Sequence, residues 1–251
     1  MMPAYNSERT LRDSVESVLA QTVGDLEIVV ADNASEIPAQ EVLADLRDAR
    51  LRIVRNSRNT GTAGGRNTAL RHACAPLVSQ LDSDDEWEPD YLESILPCFD
   101  DPAVGLAYSN THIIGHPTGH DDYIGDPSVH PMHGFPKIAE QNPIPCPTAT
   151  IRTEALRSIG GYTPWMWMVE DYEMYMRLAA AGWRFAYVHR QLARYRWPTP
   201  GGGMSSRKRE QQLWELAAFA SVALRHPLTP GPRRQVRVRL SRELERLRRR
   251  A

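Results

Sequence analysis

Over its first hundred residues the chain switches repeatedly between two apolar periods. Leu11, Val15, Val18 and Leu19 recur at helical spacing between Thr10 and Gln21, which predicts an amphipathic helix. Leu26 to Ala31 is a continuous apolar run rich in β-branched residues, the pattern of a buried strand. The alternation continues with a helix over Ala39 to Arg47 and a strand over Arg52 to Val54. A helix then begins near Gly64 and runs through Ala69, Leu70 and Ala73, and a strand follows over Pro76 to Leu81. Helix and strand in strict alternation predict an α/β fold with a mainly parallel central sheet flanked by helices. Such sheets bind ligands at the carboxyl ends of their strands.

The second half has a different texture. Gly115 to Pro136 is rich in Gly, Pro, His and Asp and has no period, so it reads as a long loop of the kind that often carries function. Thr148 to Ile151 predicts a strand, Thr153 to Ile159 a short helix, and Gly160-Gly161 a turn. Glu170 to Ala181 is amphipathic with Gly182 as its stop. Arg184 to Val188 reads as a strand, Gly201 to Gly203 as a hinge, and Arg209 to Leu224 as a helix. Val236, Leu240, Leu244 and Leu247 form a last helical stripe with arginines on the other faces.

The formal net charge of the 251 residues is −1, but its distribution is uneven. Ten arginines against two glutamates lie from Arg225 onward, and the rest of the chain is correspondingly acidic. Basic residues confined to one end argue against nucleic acid as a partner. A helix of that pattern suits an anionic membrane surface, or packs on the domain as an ordinary solvated helix. Cys74, Cys98 and Cys146 are odd in number and have no pairwise spacing. They fit a reducing compartment and small core positions better than disulfides or zinc. No stretch approaches the roughly 20 apolar residues of a membrane span, and Met1-Met2-Pro3 leaves no room for a secretory signal. The expectation is a cytoplasmic protein, peripheral at the inner face of the membrane if the basic end binds there.

The densest chemistry is at Asp82-Ser83-Asp84-Asp85, at the end of the strand predicted over Pro76 to Leu81. Carboxylates there suit a hard divalent cation completed by substrate phosphates, and equally suit the cap of the helix starting near Pro89. Asp32 ends an earlier strand on the same rim, where it either binds a ligand or turns the chain. His130 and His133 have ligand-like spacing but sit in the aperiodic loop, a poor context for zinc.

In order, the chain presents Pro3-Ala4-Tyr5-Asn6, Asp32-Asn33-Ala34-Ser35, Asn59-Thr60-Gly61 with Arg66-Asn67, Asp82 to Asp85, Gly160-Gly161-Tyr162 and Glu170-Asp171. This series resembles the inverting glycosyltransferases of family 2, which have the GT-A fold, a Rossmann-like nucleotide-diphospho-sugar transferase fold. The resemblance implies a catalytic domain over residues 1 to 200 and a basic helical extension over 201 to 251. Within the domain, residues 1 to 100 would bind the nucleotide and 101 to 200 the acceptor. It implies a nucleotide-diphospho-sugar donor, with a UDP-sugar favoured over dTDP- or GDP-sugars, and a sugar, lipid-linked or small-molecule acceptor. The implied cofactor is Mn²⁺ or Mg²⁺ on Asp84 and Asp82, with Asp85 as a further candidate.

The same resemblance places Pro3, Ala4, Tyr5, Asn6, Asp32, Asn59, Gly61, Arg66, Asp82, Ser83 and Asp84 around the nucleotide. Tyr5 would stack beside the base and Asp32 would accept its imide N–H. Asp171 would be the general base for the acceptor hydroxyl. Trp165, Trp167 and Glu170 would shape the acceptor pocket, although aromatics there serve core packing equally well.

Two departures from the pattern stand out. Only Met1-Met2 precede Pro3, so the first strand is expected to be cut short, either by a start downstream of the true one or by loss of an inner strand. Pro198 occupies a position where the family often has His, leaving His189 as a substitute ligand. Gln191-Leu192-Ala193-Arg194-Tyr195 only approximates the family's processive element. The rival readings are a nucleotide-sugar binding protein without turnover and, less favoured, a nucleotidyltransferase.

Overall fold

The computed structural model describes residues 1–124, 138–139, 142–197, 208–225, 234, 236–238 and 240–242. His130, His133, Pro198, Gly201 to Gly203, Leu244 and Leu247 lie outside the described residues, so the expectations placed on them stay at the level of sequence.

The first half alternates as its periods predict. Strand β1 (Met2–Ala4), helix α1 (Leu11–Leu19), β2 (Ile28–Asp32), α2 (Ala39–Val42), β3 (Leu51–Arg55) and α3 (Gly61–His72) follow in sequence. They build a parallel three-stranded sheet ordered β1-β2-β3. The shortened first strand is formed nonetheless. Met2 and Ala4 are buried and pair in register with Val30 and Asp32. On its other side the Met1 carbonyl accepts the Leu81 N–H at 3.2 Å, so β1 also adjoins the chain leaving β4. Of the two alternatives, loss of the strand is corrected: β1 is present as three residues, with partners on both flanks. Helix α2 ends at Val42 rather than Arg47, and Leu43 to Leu46 continue as turns. Helix α3 begins at Gly61, earlier than its apolar pattern suggests, because Gly61 takes φ +71° and turns the chain into the helix.

A second sheet follows: β4 (Leu77–Ser79), β5 (Glu86–Trp87), β6 (Val104–Ile114), β7 (Thr150–Arg152) and β8 (Arg184–Arg196), ordered β4-β7-β6-β8-β5. Only β6 and β8 run parallel within it, so the mainly parallel expectation holds for the first sheet and not the second. Strand β6 is invisible to hydrophobic periodicity because Ser109, Asn110 and Thr111 are buried inside it. Their polar groups are satisfied locally: Thr111 donates to the Ala193 carbonyl at 2.7 Å, and Asn110 donates to Asp122 at 2.5 Å.

Helices α4 (Tyr91–Ile95), α5 (Thr153–Ser158), α6 (Glu170–Ala180) and α7 (Lys208–Arg225) complete the layers. Helix α7 packs on α6 through Ala218, Phe219 and Val222, all fully buried. A polar link accompanies this contact. Ser221 donates to Glu173 at 2.8 Å, Arg177 donates to the same carboxylate at 2.8 Å, and Arg177 also holds the carbonyls of Ile159 and Gly161. Beyond it, Val236 is buried and Leu240 packs against the core, while Arg234, Arg237 and Arg242 face outward. The described part of the last apolar stripe thus packs on the protein. No described helix is long and apolar enough to cross a membrane.

The closest helix-to-sheet approach positions the site. A Cβ added at Gly65 on α3 would lie 2.9 Å from both Pro3 Cβ and Asn33 Nδ2. Gly65→Ala is therefore expected to destabilise the fold by about 1–3 kcal/mol, the usual cost of overpacking. Urea unfolding compared with Gly24→Ala, where an added Cβ meets nothing within 4 Å, measures it.

Candidate active site

Four chain segments bring carboxylates and cations to the carboxyl rim of the sheets. The loop after β1 exposes Tyr5, while Asn6 sits at φ +50° and clamps the neighbouring loop. Its N–H donates to Ser35 Oγ at 3.1 Å, and its Oδ1 accepts the Glu36 N–H at 2.9 Å. Pro3 and Ala4 lie beneath this clamp in the buried β1 strand.

Asp32, at the end of β2, is fully buried. One carboxylate oxygen accepts the Ser35 N–H at 2.9 Å; the other accepts the Ala39 N–H at 3.1 Å and the Arg55 guanidinium. These bonds hold its pKa below the ordinary carboxylate range against the opposing effect of burial. As placed, Asp32 organises the turn and meets a base only if Arg55, which is partly exposed, swings aside. Asn33 is a second buried organiser: Nδ2 donates to the Gly61 carbonyl, and Oδ1 accepts from Asn56 and Thr60. Asn59 accepts the Gly61 N–H at 2.8 Å, so the start of α3 is fixed from both sides.

Arg66 on α3 is the hub. It is 2% exposed, and it joins three chain segments. One guanidinium nitrogen binds Glu170; the other donates to Asp82 at 2.6 Å and to Cys146 Sγ at 2.9 Å. Its cation also lies 5.7 Å from the Tyr162 ring centre. Arg66, which the resemblance places facing a nucleotide, ties the acidic turn after β4 to the start of α6. Glu170, expected to line the acceptor pocket, is 4% exposed and lies beneath the site as Arg66's partner.

The acidic turn itself is held from outside by two elements. Thr10 donates to the Ser83 carbonyl at 2.7 Å, and the Asp85 N–H closes on the Asp82 carbonyl at 3.1 Å. Arg196, at the end of β8, donates its backbone N–H to Asp85 Oδ1 at 2.9 Å and its side chain to the Asp84 carbonyl. Asp85 is buried and its Oδ2 has no hydrogen-bond partner among the described residues. Burial and the two neighbouring carboxylates push Asp85 well up. Asp84 is exposed, yet the surrounding protein and then Asp82 raise it to about 6.

Crowded oxygen donors, one of them orphaned, fit a hard divalent cation. Among the described residues no group of three or more His, Cys, Asp or Glu could hold a metal ion, so a cation here would need substrate oxygens to complete its shell. His189 is exposed with its ring against Tyr187 and joins no acidic residue.

Asp171 opens α6, with Oδ1 accepting the Tyr172 N–H at 2.7 Å. Burial raises its pKa and Arg66 opposes the rise. The chain enters α6 through Val169 at φ +53°. A β-branched residue in the left-handed region is strained, and such strain persists only where surroundings enforce it. Here Arg66 anchors Glu170 immediately after the strained residue. Trp165 and Trp167 are about half exposed, and the Trp167 ring covers Gly61.

Sequence reasoning missed Asn33, Arg55 and Cys146 as site residues. Cys146 was read as a small core residue, yet its sulfur accepts from Arg66 and donates to Gln80; Cys74 is exposed. No periodicity signals such contacts, because they arise across sequence separations of 66 and 80 residues.

With this geometry in view, the family model described as "Glycosyl transferase family 2" matches residues 1–160. A curated relative, the UDP-Glc:alpha-D-GlcNAc-diphosphoundecaprenol beta-1,3-glucosyltransferase WfgD of Escherichia coli, is 35% identical over 114 residues. That match covers 45% of this chain and 45% of the relative. Alignments with other curated relatives span from 14% to 86% of the relative's length. Among solved structures, Staphylococcus aureus TarS 1-349 in complex with UDP-GlcNAc superposes with TM-score 0.76 at 19% identity, covering 97% of this chain and 70% of that one. The mannosyltransferase PcManGT from Pyrobaculum calidifontis, in complex with GDP-Man and Mn2+, gives 0.72 at 20% identity, covering 95% and 67%. These superpositions establish the GT-A fold.

Removing one partner of a buried ionic group strands the others. Arg66→Ala is expected to cost about 3–5 kcal/mol of stability. The loss should be larger at pH 8 than at pH 5. Glu170 already has a folded pKa raised by burial, so its contribution is present below its unfolded value and fades as pH rises through the folded one. Without Arg66 that fading steepens. Urea unfolding at the two pH values checks it, and an equal loss at both would contradict the hub.

Proposed function

The chain belongs to glycosyl transferase family 2, and we propose that it is a metal-dependent inverting glycosyltransferase using a nucleotide-diphospho-sugar donor. The observation that carries this reading is the Arg66 bridge. It draws Asp82 of the acidic turn and Glu170, beside Asp171, to one point from opposite halves of the chain. Leaving-group chemistry and proton removal must occur within one substrate's length of each other, and this bridge provides that juxtaposition.

In this reading Tyr5 stacks on the base at the rim of β1, and the Asn33-centred turns hold Asn59 and Gly61 against the donor. Asp84 and Asp82 would hold Mn²⁺ or Mg²⁺, and Asp85 Oδ2 is a buried oxygen with no hydrogen-bond partner among the described residues. When bound, the cation neutralises charge on the diphosphate leaving group. Asp171 Oδ1 is occupied by the Tyr172 N–H, so its Oδ2 takes the proton from the acceptor hydroxyl. The acceptor oxygen bonds to the anomeric carbon as the bond from that carbon to the diphosphate breaks on the opposite face. One such displacement inverts the anomeric configuration. The raised pKa of Asp171 brings its proton affinity nearer to neutral pH, as general-base catalysis favours.

UDP is the favoured nucleotide, since WfgD is named for UDP-Glc and TarS binds UDP-GlcNAc. WfgD's name also supports a lipid-diphosphate-linked sugar as acceptor. Such an acceptor places the reaction at a membrane face, where Arg234, Arg237 and Arg242 on the outward side of the C-terminal segment would meet anionic lipid.

A panel of nucleotide sugars with Mn²⁺, followed by nucleoside diphosphate release, tests the activity. Asp171→Asn is expected to lower kcat by about 10²- to 10⁴-fold while Mn²⁺-dependent UDP binding persists by calorimetry. Asp84→Ala should abolish the Mn²⁺ dependence of that binding. Full turnover in Asp171→Asn would remove it as the base, and UDP binding without release in the unmodified protein would favour a binding module.

The pH profile gives a separate check. Because the folded pKa of Asp171 is raised, kcat should fall on the acid side as that carboxylate gains its proton. That acid limb should vanish from whatever activity Asp171→Asn retains.

A further inference from the structure

Two adjoining hollows run along the outer face of α3, on the side of the helix away from Arg66. One, of about 520 Å³, lies between the loop after β3 and Trp167; the other, of about 320 Å³, extends it to Gly160 and Gly161. They share Asn67, Arg71 and Pro164, so they form one trough. None of the described residues that line it is acidic, and three of them are arginines: Arg58, Arg71 and Arg157.

The polar groups of the trough divide sharply. Asn56 and Asn67 are committed to the protein, Asn56 to Asn33 and Thr68, and Asn67 to both backbone groups of Tyr162. Thr60 and Thr68 donate internally as well. The remaining capacity is almost wholly donor. Arg58 is exposed with no bond among the described residues, Arg71 gives one nitrogen to Thr68, and Arg157 gives one nitrogen to carbonyls at the end of α3. A concave surface with guanidinium donors, no acid and an aromatic wall is complementary to a phosphorylated ligand. Its Trp167 end also touches the reaction site. That ring packs over Gly61 at the head of α3 and lies three residues before Glu170.

We infer that this trough binds the phosphate-bearing portion of the acceptor, with Arg58 and Arg71 on the phosphates and Trp167 against the adjacent sugar. The inference rests on the glycosyltransferase reading for the word acceptor, but the site itself does not depend on it. The donor's diphosphate is held elsewhere, at the acidic turn on the other face of α3. The trough therefore supplies the cationic charge that the acidic turn lacks, and it separates the two diphosphates of a lipid-linked reaction onto opposite sides of one helix.

The test uses the full chain in EDTA, which withdraws the divalent cation from the donor site. Decyl diphosphate, inorganic pyrophosphate and uncharged decyl β-glucoside are titrated separately by calorimetry. Both diphosphates should bind and the glucoside should not; tighter binding of decyl diphosphate than pyrophosphate would identify a lipid-linked rather than a free phosphate. Arg58→Ala with Arg71→Ala should weaken diphosphate binding at least tenfold, while Arg184→Ala with Arg190→Ala, which removes equal charge from β8, should leave it unchanged. Both trough side chains are exposed, and unchanged thermal midpoints would confirm that the variants fold.

Absence of diphosphate binding to the unmodified protein, or equal weakening by the two double variants, would overturn the inference. Mn²⁺-dependent UDP binding is measured alongside in each variant. Its absence from the unmodified protein would count against the donor site and leave the trough result readable on its own.

Discussion

A guanidinium buried to 2% exposure must be neutralised and hydrogen-bonded or the fold does not tolerate it. The two terminal nitrogens of Arg66 meet most of that demand with Asp82, Glu170 and Cys146, while Nε has no partner among the described residues; the three partners come from the turn after β4, the start of α6 and the segment before β7. The demand works in reverse as well. Two carboxylates that would repel each other beneath the site are held together because one cation serves both. The acidic turn and the helix carrying Asp171 therefore have a fixed mutual placement that neither sheet alone would impose.

The surrounding structure keeps that placement from relaxing. Thr10 and Arg196 grip the acidic turn from α1 and β8. Arg177 holds the Ile159 and Gly161 carbonyls, and its partner Glu173 is held in turn by Ser221 on α7. The segment between Gly161 and Glu170 is thus fixed at both ends, which is how Val169 can remain at φ +53°. Strain of this kind costs on the order of 1–3 kcal/mol per residue. Its location directly before Glu170-Asp171 ties that cost to the aim of those two acids. Asn6 and Ala34, also in the left-handed region, shape the loops at the ends of β1 and β2 on the nucleotide side.

The parts of this arrangement legible in the sequence are those governed by local period and by motif order. Strands β2, β3 and β4 and helices α1, α3 and α6 follow from apolar spacing. The acids at 82–85 and 170–171 stand out only through motif order, since each run taken alone suits a helix N-terminus. Strand β6 was not legible, since burying Ser109, Asn110 and Thr111 contradicts the pattern a strand should show and becomes tolerable only through partners such as Ala193 and Asp122. The extension of β8 from Val188 to Arg196 escaped notice for a related reason: its charged residues pair with Glu86, Glu88 and Asp90 on β5 and the turn before α4. The position of Asp32 at the end of β2 is legible from the apolar run before it, but the commitments of Asp32 to Arg55 and of Arg66 to Glu170 depend on contacts 23 and 104 residues away. Such contacts have no local signature.

The proposed chemistry is a single displacement at the anomeric carbon, with Asp171 and the acidic turn on opposite sides of it. Proton NMR of slow donor hydrolysis measures that most directly, because water can stand in for the acceptor. The protein is incubated with Mn²⁺ and an α-linked UDP-sugar, and the first sugar released is observed before mutarotation. A single inverting displacement releases the β-anomer first, together with UDP. Initial release of the α-anomer would contradict it.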